Sequence, residues 1–92
     1  MKPLDACPRP LETFPTRVPL KVIGRHGELI PEAIAELVAK HLGPQPEADQ
    51  VWTSRPHGAY IAHSFWVTLP DENAELPLRT AIQALPGYVM QL

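Results

Sequence analysis

Apolar residues recur with a period of two in some stretches of this sequence and of 3.6 in others, and the order of those stretches constrains the fold most strongly. In Tyr60–Leu69, a period of two places Ile61, Phe65, Val67 and Leu69 on one face, as in a half-buried strand. Tyr60, Ala62, Ser64, Trp66 and Thr68 fall on the other face. The predicted elements, in chain order, are a strand over Val18–Ile23, a helix from Pro31 that stops at Gly43, a short strand over Val51–Thr53, a strand over Tyr60–Leu69, a helix over Ala74–Leu85 and a strand over Tyr88–Leu92.

This β-α-β-β-α-β order predicts an α+β protein of the ferredoxin-like kind, a four-stranded antiparallel sheet with two helices on one face. No further element remains to cover the other sheet face, which should meet water or a partner. We assign residues 17–92 to this single domain and residues 1–16, rich in proline, to a flexible arm that Phe14 could pin. In the last strand, Tyr88, Met90 and Leu92 are predicted to face the core.

Size and charge narrow the class of protein. With 92 residues the chain supports one hydrophobic core. A formal net charge of −2 gives no general attraction for nucleic acid or acidic lipids, so nucleic acid is disfavoured as a partner. The sequence has no bilayer-spanning apolar run, and its single cysteine, Cys7, has no disulfide partner. We therefore expect a cytoplasmic protein without membrane contact.

Several short motifs resemble the YbeD-like family of small uncharacterised bacterial proteins. The similarity spans residues 14–92. It is carried by Phe14-Pro15, Pro19 to Gly24, the helix ending in His41, Arg55-Pro56, Gly58, Tyr60 and Pro86 to Leu92. The resemblance implies a ferredoxin-like fold similar to the ACT regulatory domains that bind amino acids. Because many family members are encoded beside lipoate-attachment genes, it also implies a regulatory role in lipoate metabolism. It supplies no catalytic residues.

The turn Gly24-Arg25-His26-Gly27 is one candidate ligand site. It joins the first strand to the first helix, where backbone N–H groups can hold an anion or a carboxylate, with Arg25 and His26 as charged contacts. An ordinary glycine turn is the alternative, and it is favoured because such turns commonly follow strands.

Aromatic residues on the uncovered sheet face form a second candidate site. Strand parity places Trp52, Tyr60, Ser64 and Trp66 on that face, which suggests an interface with another protein or with a second copy in a homodimer. The alternative interpretation is that these are isolated surface aromatic residues with no binding role. A small RNA-binding module would use the same face, but the basic flanks and aromatic signature of such modules are absent.

Neither catalysis nor metal binding is indicated. His63 falls on the inward side of its strand, where a hydrogen-bonded core histidine is favoured over a catalytic base. His26, His41, His57 and His63 show no metal-ligand spacing. The sequence thus predicts a non-enzymatic binding or regulatory domain that needs no cofactor and recognises a protein or a small metabolite.

Overall fold

The computed structural model describes residues 14–92. Its elements are β1 (Thr16–Arg25), α1 (Pro31–Leu42), a short 3₁₀ helix (Glu47–Gln50), β2 (Thr53–His57), β3 (Tyr60–Leu69), α2 (Glu75–Gln83) and β4 (Tyr88–Gln91).

The four strands form one sheet in the order β2-β3-β1-β4. Every neighbouring pair is antiparallel, and β1 pairs with β3 along its full length, from Thr16 opposite Leu69 to Arg25 opposite Tyr60. The two long strands therefore occupy the centre of the sheet and the two short ones its edges. The order of elements and this topology confirm the predicted ferredoxin-like α+β fold.

The hydrophobic core lies between the sheet and the two helices. Alternation along β1 and β3 sends every second side chain toward the helices, which is why the buried strand residues are two apart. The buried apolar residues are Leu20, Val22, Leu29, Ile34, Val38, Phe65, Val67, Leu69, Leu78 and Ile82.

Helix α1 begins and ends with residues suited to those positions. Pro31 occupies its first turn, where its missing N–H leaves no intrahelical bond unmade, and Glu32 lies at the positive end of the helix dipole. Lys40 and His41 lie in the last turn, beside the negative end. Gly43 ends the helix at a φ of 84°, and its N–H donates to the Ala39 carbonyl at 3.0 Å.

The first edge strand differs from the prediction. The predicted strand Val51–Thr53 is wrong, because residues 47–50 form a 3₁₀ helix and Val51 is 76% exposed; β2 begins only at Thr53. Arg55 and Pro56, predicted to turn, belong to β2, and the turn is Gly58-Ala59. Pro56 is tolerated because β2 lies at the edge of the sheet. In an edge strand, every second backbone N–H points away from the neighbouring strand and is not needed for pairing.

The second edge strand carries an irregularity that reverses the predicted pattern. The pairing of β1 with β4 shifts between Ile23 and Gly24, so Tyr88 and Gln91 both face the helices. The expectation that Met90 and Leu92 face the core is therefore wrong, since they are 44% and 60% exposed. Gln91 is held instead by its Nε2, which donates to the Arg79 carbonyl of α2 at 2.9 Å.

The first strand begins two residues earlier than the predicted Val18. Phe14 packs against the core and Thr16 opens β1. The rest of the predicted arm, residues 1–13 with Cys7, lies outside the described residues. Among residues 14–92, neither helix combines the length and the apolar character that crossing a bilayer requires.

Candidate functional site

The turn between β1 and α1 uses much of its backbone for internal contacts. The Arg25 N–H donates to the Gly87 carbonyl at 2.8 Å, and the His26 N–H donates to the Ala59 carbonyl at 2.9 Å. Two of the four amides predicted to hold an anion are thus already paired within the protein. The Arg25 and His26 side chains are exposed, so any contact with a ligand at this turn would come mainly from them.

The two glycines of this turn serve different purposes. Gly24 lies in a close contact, because a Cβ built there would fall 2.5 Å from Leu29 Cδ2 and 2.6 Å from the Gly87 oxygen. Gly27 has open space around it but adopts a φ of 91°, which side-chain-bearing residues rarely take. Packing and turn geometry therefore account for both glycines, while ligand binding by Gly24, Arg25, His26 and Gly27 stays a prediction.

His63 is buried and fully hydrogen-bonded. Its exposed fraction is 1%, its Nδ1 lies 2.7 Å from Ser54 Oγ, and its Nε2 lies 3.0 Å from the Leu29 carbonyl oxygen. Because a carbonyl only accepts, Nε2 donates to Leu29, and Nδ1 shares a hydrogen bond with the Ser54 hydroxyl. The prediction of a hydrogen-bonded core histidine is confirmed.

The structure brings three of the four predicted interface residues to the open sheet face, the face turned away from the helices. Tyr60, Ser64 and Trp66 share one side of β3, as alternation predicts. Trp52 does not join them: it is half-buried and packs against the hydrophobic core. The prediction for Trp52 is wrong because it requires Thr53 to face the core, whereas Thr53 lies opposite Ser64 on the open face.

Trp66 is part of an ion-pair cluster at one end of the open face. The guanidinium of Arg17 lies 4.3 Å from the centre of the Trp66 ring, and its Nη2 lies 2.8 Å from Asp49 Oδ1. The side-chain hydrogen bond to Asp49, reinforced by the charge attraction, raises the pKa of Arg17 above its ordinary value. Arg17 therefore holds Trp66 against the sheet as a permanent cation.

Every charged residue within the four strands is basic. Their sequences contain Arg17, Lys21, Arg25 and Arg55 and no carboxylate. Arg17, Lys21 and Arg25 project from β1 on the open face, and Arg55 lies opposite Ala62, on the same side as Tyr60 and Ser64. The carboxylates of residues 14–92 lie instead in the helices and loops.

This basic cluster was not predicted from the sequence. The sequence nevertheless contains the signal for it. Arg17, Lys21 and Arg25 are four residues apart, and strand residues an even number of positions apart lie on the same face. The net charge of −2 concealed it, since the carboxylates elsewhere outnumber the bases.

Basic residues flank two small side chains on the open face. Ala62 and Ser64 are small residues on β3, with Lys21 opposite Ser64 on β1 and Arg55 opposite Ala62 on β2. Adjacent strands are about 4.8 Å apart, so β1 and β2 flank these small residues at a separation of roughly 10 Å. Exposed cations on both sides of small side chains suit a negatively charged group.

No constellation for metal or nucleophilic chemistry occurs in the described part of the chain. Within residues 14–92, no three His, Cys, Asp or Glu side chains come close enough to hold a metal ion. The Ser54–His63 contact has a backbone carbonyl, not a carboxylate, on the far ring nitrogen. The open sheet face is the leading candidate site because it brings exposed aromatic residues and bases together.

Comparison with known proteins places most of the chain in one family. A family model described as a protein of unknown function, DUF493, matches residues 9–92. The YbeD-like proteins belong to that family, so the resemblance seen in the sequence is confirmed. No curated protein and no solved structure gives a significant match.

Proposed function

The chain belongs to the DUF493 family of proteins of unknown function, and on that premise we propose that it is a non-catalytic binding domain whose open sheet face holds an acidic surface of a partner protein. The observation that carries the proposal is the segregation of charge. All four charged strand residues are basic and face away from the helices; Arg17 is paired with Asp49, and Lys21, Arg25 and Arg55 are exposed, as are Tyr60 and Trp66. Arginine, tyrosine and tryptophan are the residues that most often dominate binding energy in protein interfaces.

A protein partner fits this face better than RNA does. Tyr60 and Trp66 are six residues apart on β3, which separates them by about 20 Å, too far for neighbouring bases to stack on both. Arg17 already covers one face of the Trp66 ring. The apolar side chains of Met90 and Leu92 continue the face beyond β1, as the mixed surface of a protein interface does. RNA binding is the second candidate, and the basic cluster is the observation that favours it.

A homodimer formed by two open faces is disfavoured by the same charges. A two-fold axis would bring Lys21, Arg25 and Arg55 of one copy near the same residues of the other. Association along the β4 edge, where Val89 and Met90 are exposed, avoids that repulsion and is the form of homodimer consistent with this surface.

The biological setting of the proposal comes from the family. The resemblance to YbeD-like proteins implies lipoate metabolism, and regulation of a cytoplasmic enzyme of that pathway by binding is the role we propose. The chemistry of the open face supports binding without reaction, since the basic cluster contains no acid–base or nucleophilic pair.

Charge reversal on the two sides of the molecule tests the proposal. Lys21→Glu and Arg55→Glu alter the open face, whereas Lys40→Glu makes the same charge change on α1. Fluorescence anisotropy would follow a labelled peptide rich in glutamate and tyrosine, and separately a mixed-sequence single-stranded RNA. We expect the peptide to bind the wild type and Lys40→Glu equally, and to lose about tenfold in affinity with each open-face variant.

The outcomes separate the candidate functions. Equal loss with Lys40→Glu, or no peptide binding to any form, would contradict the proposed acidic partner. Tight RNA binding that depends on Lys21 and Arg55, with weak peptide binding, would favour the second candidate. Sedimentation of the wild type alone reports whether a second copy is the partner.

A further inference from the structure

A cleft separate from the open sheet face lies between α1, the loop that follows it and the start of β2. Its volume is roughly 390 Å³, within the range of small-molecule sites. Its walls include Ala35, Val38 and Ala39 of α1, Trp52 before β2, Phe65 of β3, and Asp49 of the 3₁₀ helix.

Small residues on one wall and an aromatic residue near them create the space. Ala35 and Ala39 lie one turn apart on α1, so the same stripe of the helix presents methyl groups toward the cleft. Trp52 is the half-buried residue that the sequence had placed on the open face. Here its indole supplies a large apolar surface beside the helix, which suits a ring-shaped or branched apolar group.

The one charged group among the described residues that line the cleft is already paired, and two amide side chains beside it make hydrogen bonds within the protein. The Asp49 side chain is only 4% exposed and is neutralised by Arg17. Gln45 Oε1 accepts from the Thr68 N–H at 2.8 Å, and Gln50 Nε2 donates to the Gln45 carbonyl at 2.9 Å. A charged ligand entering this cleft would lose hydration without gaining an unpaired opposite charge.

We propose that this cleft binds a small uncharged molecule with an apolar, ring-containing body. The inference does not depend on the function proposed for the open face, because the two sites use different walls of the molecule. Trp66 borders both, so it reports on either site. The proposal gives the domain a metabolite site distinct from the Gly24–Gly27 turn.

Two probes with the same ring system test the preference for an uncharged ligand. N-phenyl-1-naphthylamine is uncharged, and 1-anilinonaphthalene-8-sulfonate carries the same rings with a sulfonate. Fluorescence titration of the full chain should show saturable binding of the uncharged probe, at least about tenfold tighter than the sulfonate. Displacement of the uncharged probe by the sulfonate at an equal or lower concentration, or no saturable binding of the uncharged probe, overturns the proposal.

A substitution that fills the cleft tests whether the uncharged probe binds there. Ala39→Leu adds bulk to the α1 wall at an exposed position, and Ala84→Leu makes the same change at the end of α2, away from the cleft. We expect Ala39→Leu to weaken the uncharged probe by about tenfold or more and Ala84→Leu to leave it unchanged. Equal affinity in the two variants overturns the location.

Folding of each variant is checked by circular dichroism. Should Ala39→Leu fail to fold, Gln50→Trp narrows the cleft at an exposed residue of the 3₁₀ helix and carries the same expectation. Amide resonances that move on probe addition should cluster at Ala35, Ala39 and Trp52. Shifts confined to the open sheet face would also overturn the location.

Discussion

At the scale of single residues, His63 joins three segments that are distant in sequence. Its ring bridges β3, where it lies, to Ser54 on β2 and to the Leu29 carbonyl at the entrance of α1. A buried carbonyl without a hydrogen-bond donor destabilises the folded state, because it has lost its contact with water and gained no partner. His63 therefore contributes more to stability than one buried imidazole normally does.

Replacing His63 should destabilise the domain. His63→Leu removes both hydrogen bonds and leaves the Leu29 oxygen without its donor, so we expect the free energy of unfolding to fall by about 2–4 kcal/mol. His57→Leu changes the same residue type on exposed β2 and should alter it by no more than about 0.5 kcal/mol. Urea denaturation followed by circular dichroism measures both, and similar midpoints for the two variants would contradict the structural role of His63.

At the scale of elements, β2 is the strand least supported by packing. All of its residues are exposed, and only β3 pairs with it. Its Pro56 has no N–H to donate to the ladder. The ladder with β3 and the Ser54–His63 contact are therefore the interactions that hold it.

Hydrogen exchange should reveal this difference. We expect the amides of β2 to exchange much faster than those of the central pair, β1 and β3, because local opening of an exposed edge strand needs little apolar surface to leave the core. Ser54→Ala should speed exchange in β2 and leave β1 unchanged. Equal protection of β2 and β1 in the wild type would show that the edge opens only with the whole domain.

Elements were predictable from the sequence where one local pattern ran unbroken. The bounds of β3 were predicted to the residue, and α1 was found because its apolar stripe, Pro31 and Gly43 agree with one another. Side-chain direction failed where it depended on how the edge strands pair. The assignment of Trp52 to the open face requires Thr53 to face the core, but Thr53 lies opposite Ser64 on the open face; a shifted pairing changes the alternation between Tyr88 and Gln91. Strand pairing joins segments that are distant in sequence, and no local period encodes it.

At the scale of the whole molecule, the two sides differ in charge although the total is only −2. The strands present bases on the open face, while α1 and the loops hold most of the carboxylates. Chromatography responds to such patches, because a charged resin contacts one side of a protein at a time.

A matched pair of variants tests this uneven distribution of charge, and the test needs no binding partner. Lys21→Glu and Lys40→Glu give the same net charge, but the first disrupts the basic cluster and the second changes α1. We expect Lys21→Glu to elute from a cation-exchange resin at lower salt than Lys40→Glu, because only Lys21 lies within the patch. Coincident elution of the two variants would show that retention follows net charge alone.

The basic cluster and the cleft differ in how far they could be predicted from the sequence. The basic cluster needs only the parity of β1 and β2, so strand assignment would have sufficed. The cleft requires Ala39, Asp49, Trp52 and Phe65 to meet. These residues come from a helix, a 3₁₀ helix, a loop and a strand, whose relative placement depends on the assembled core.

The opposed charges of the two sides also bear on how fast a partner is found. The bases lie on one sheet face and the carboxylates of the described residues lie in the helices and loops, so the charge is unevenly distributed. An acidic partner approaching within the ~10 Å reach of unscreened charge would be turned toward the sheet before touching it. Orientation during the encounter raises the rate of productive collision without strengthening the final complex. Dissolved salt would then slow association far more than it hastens release.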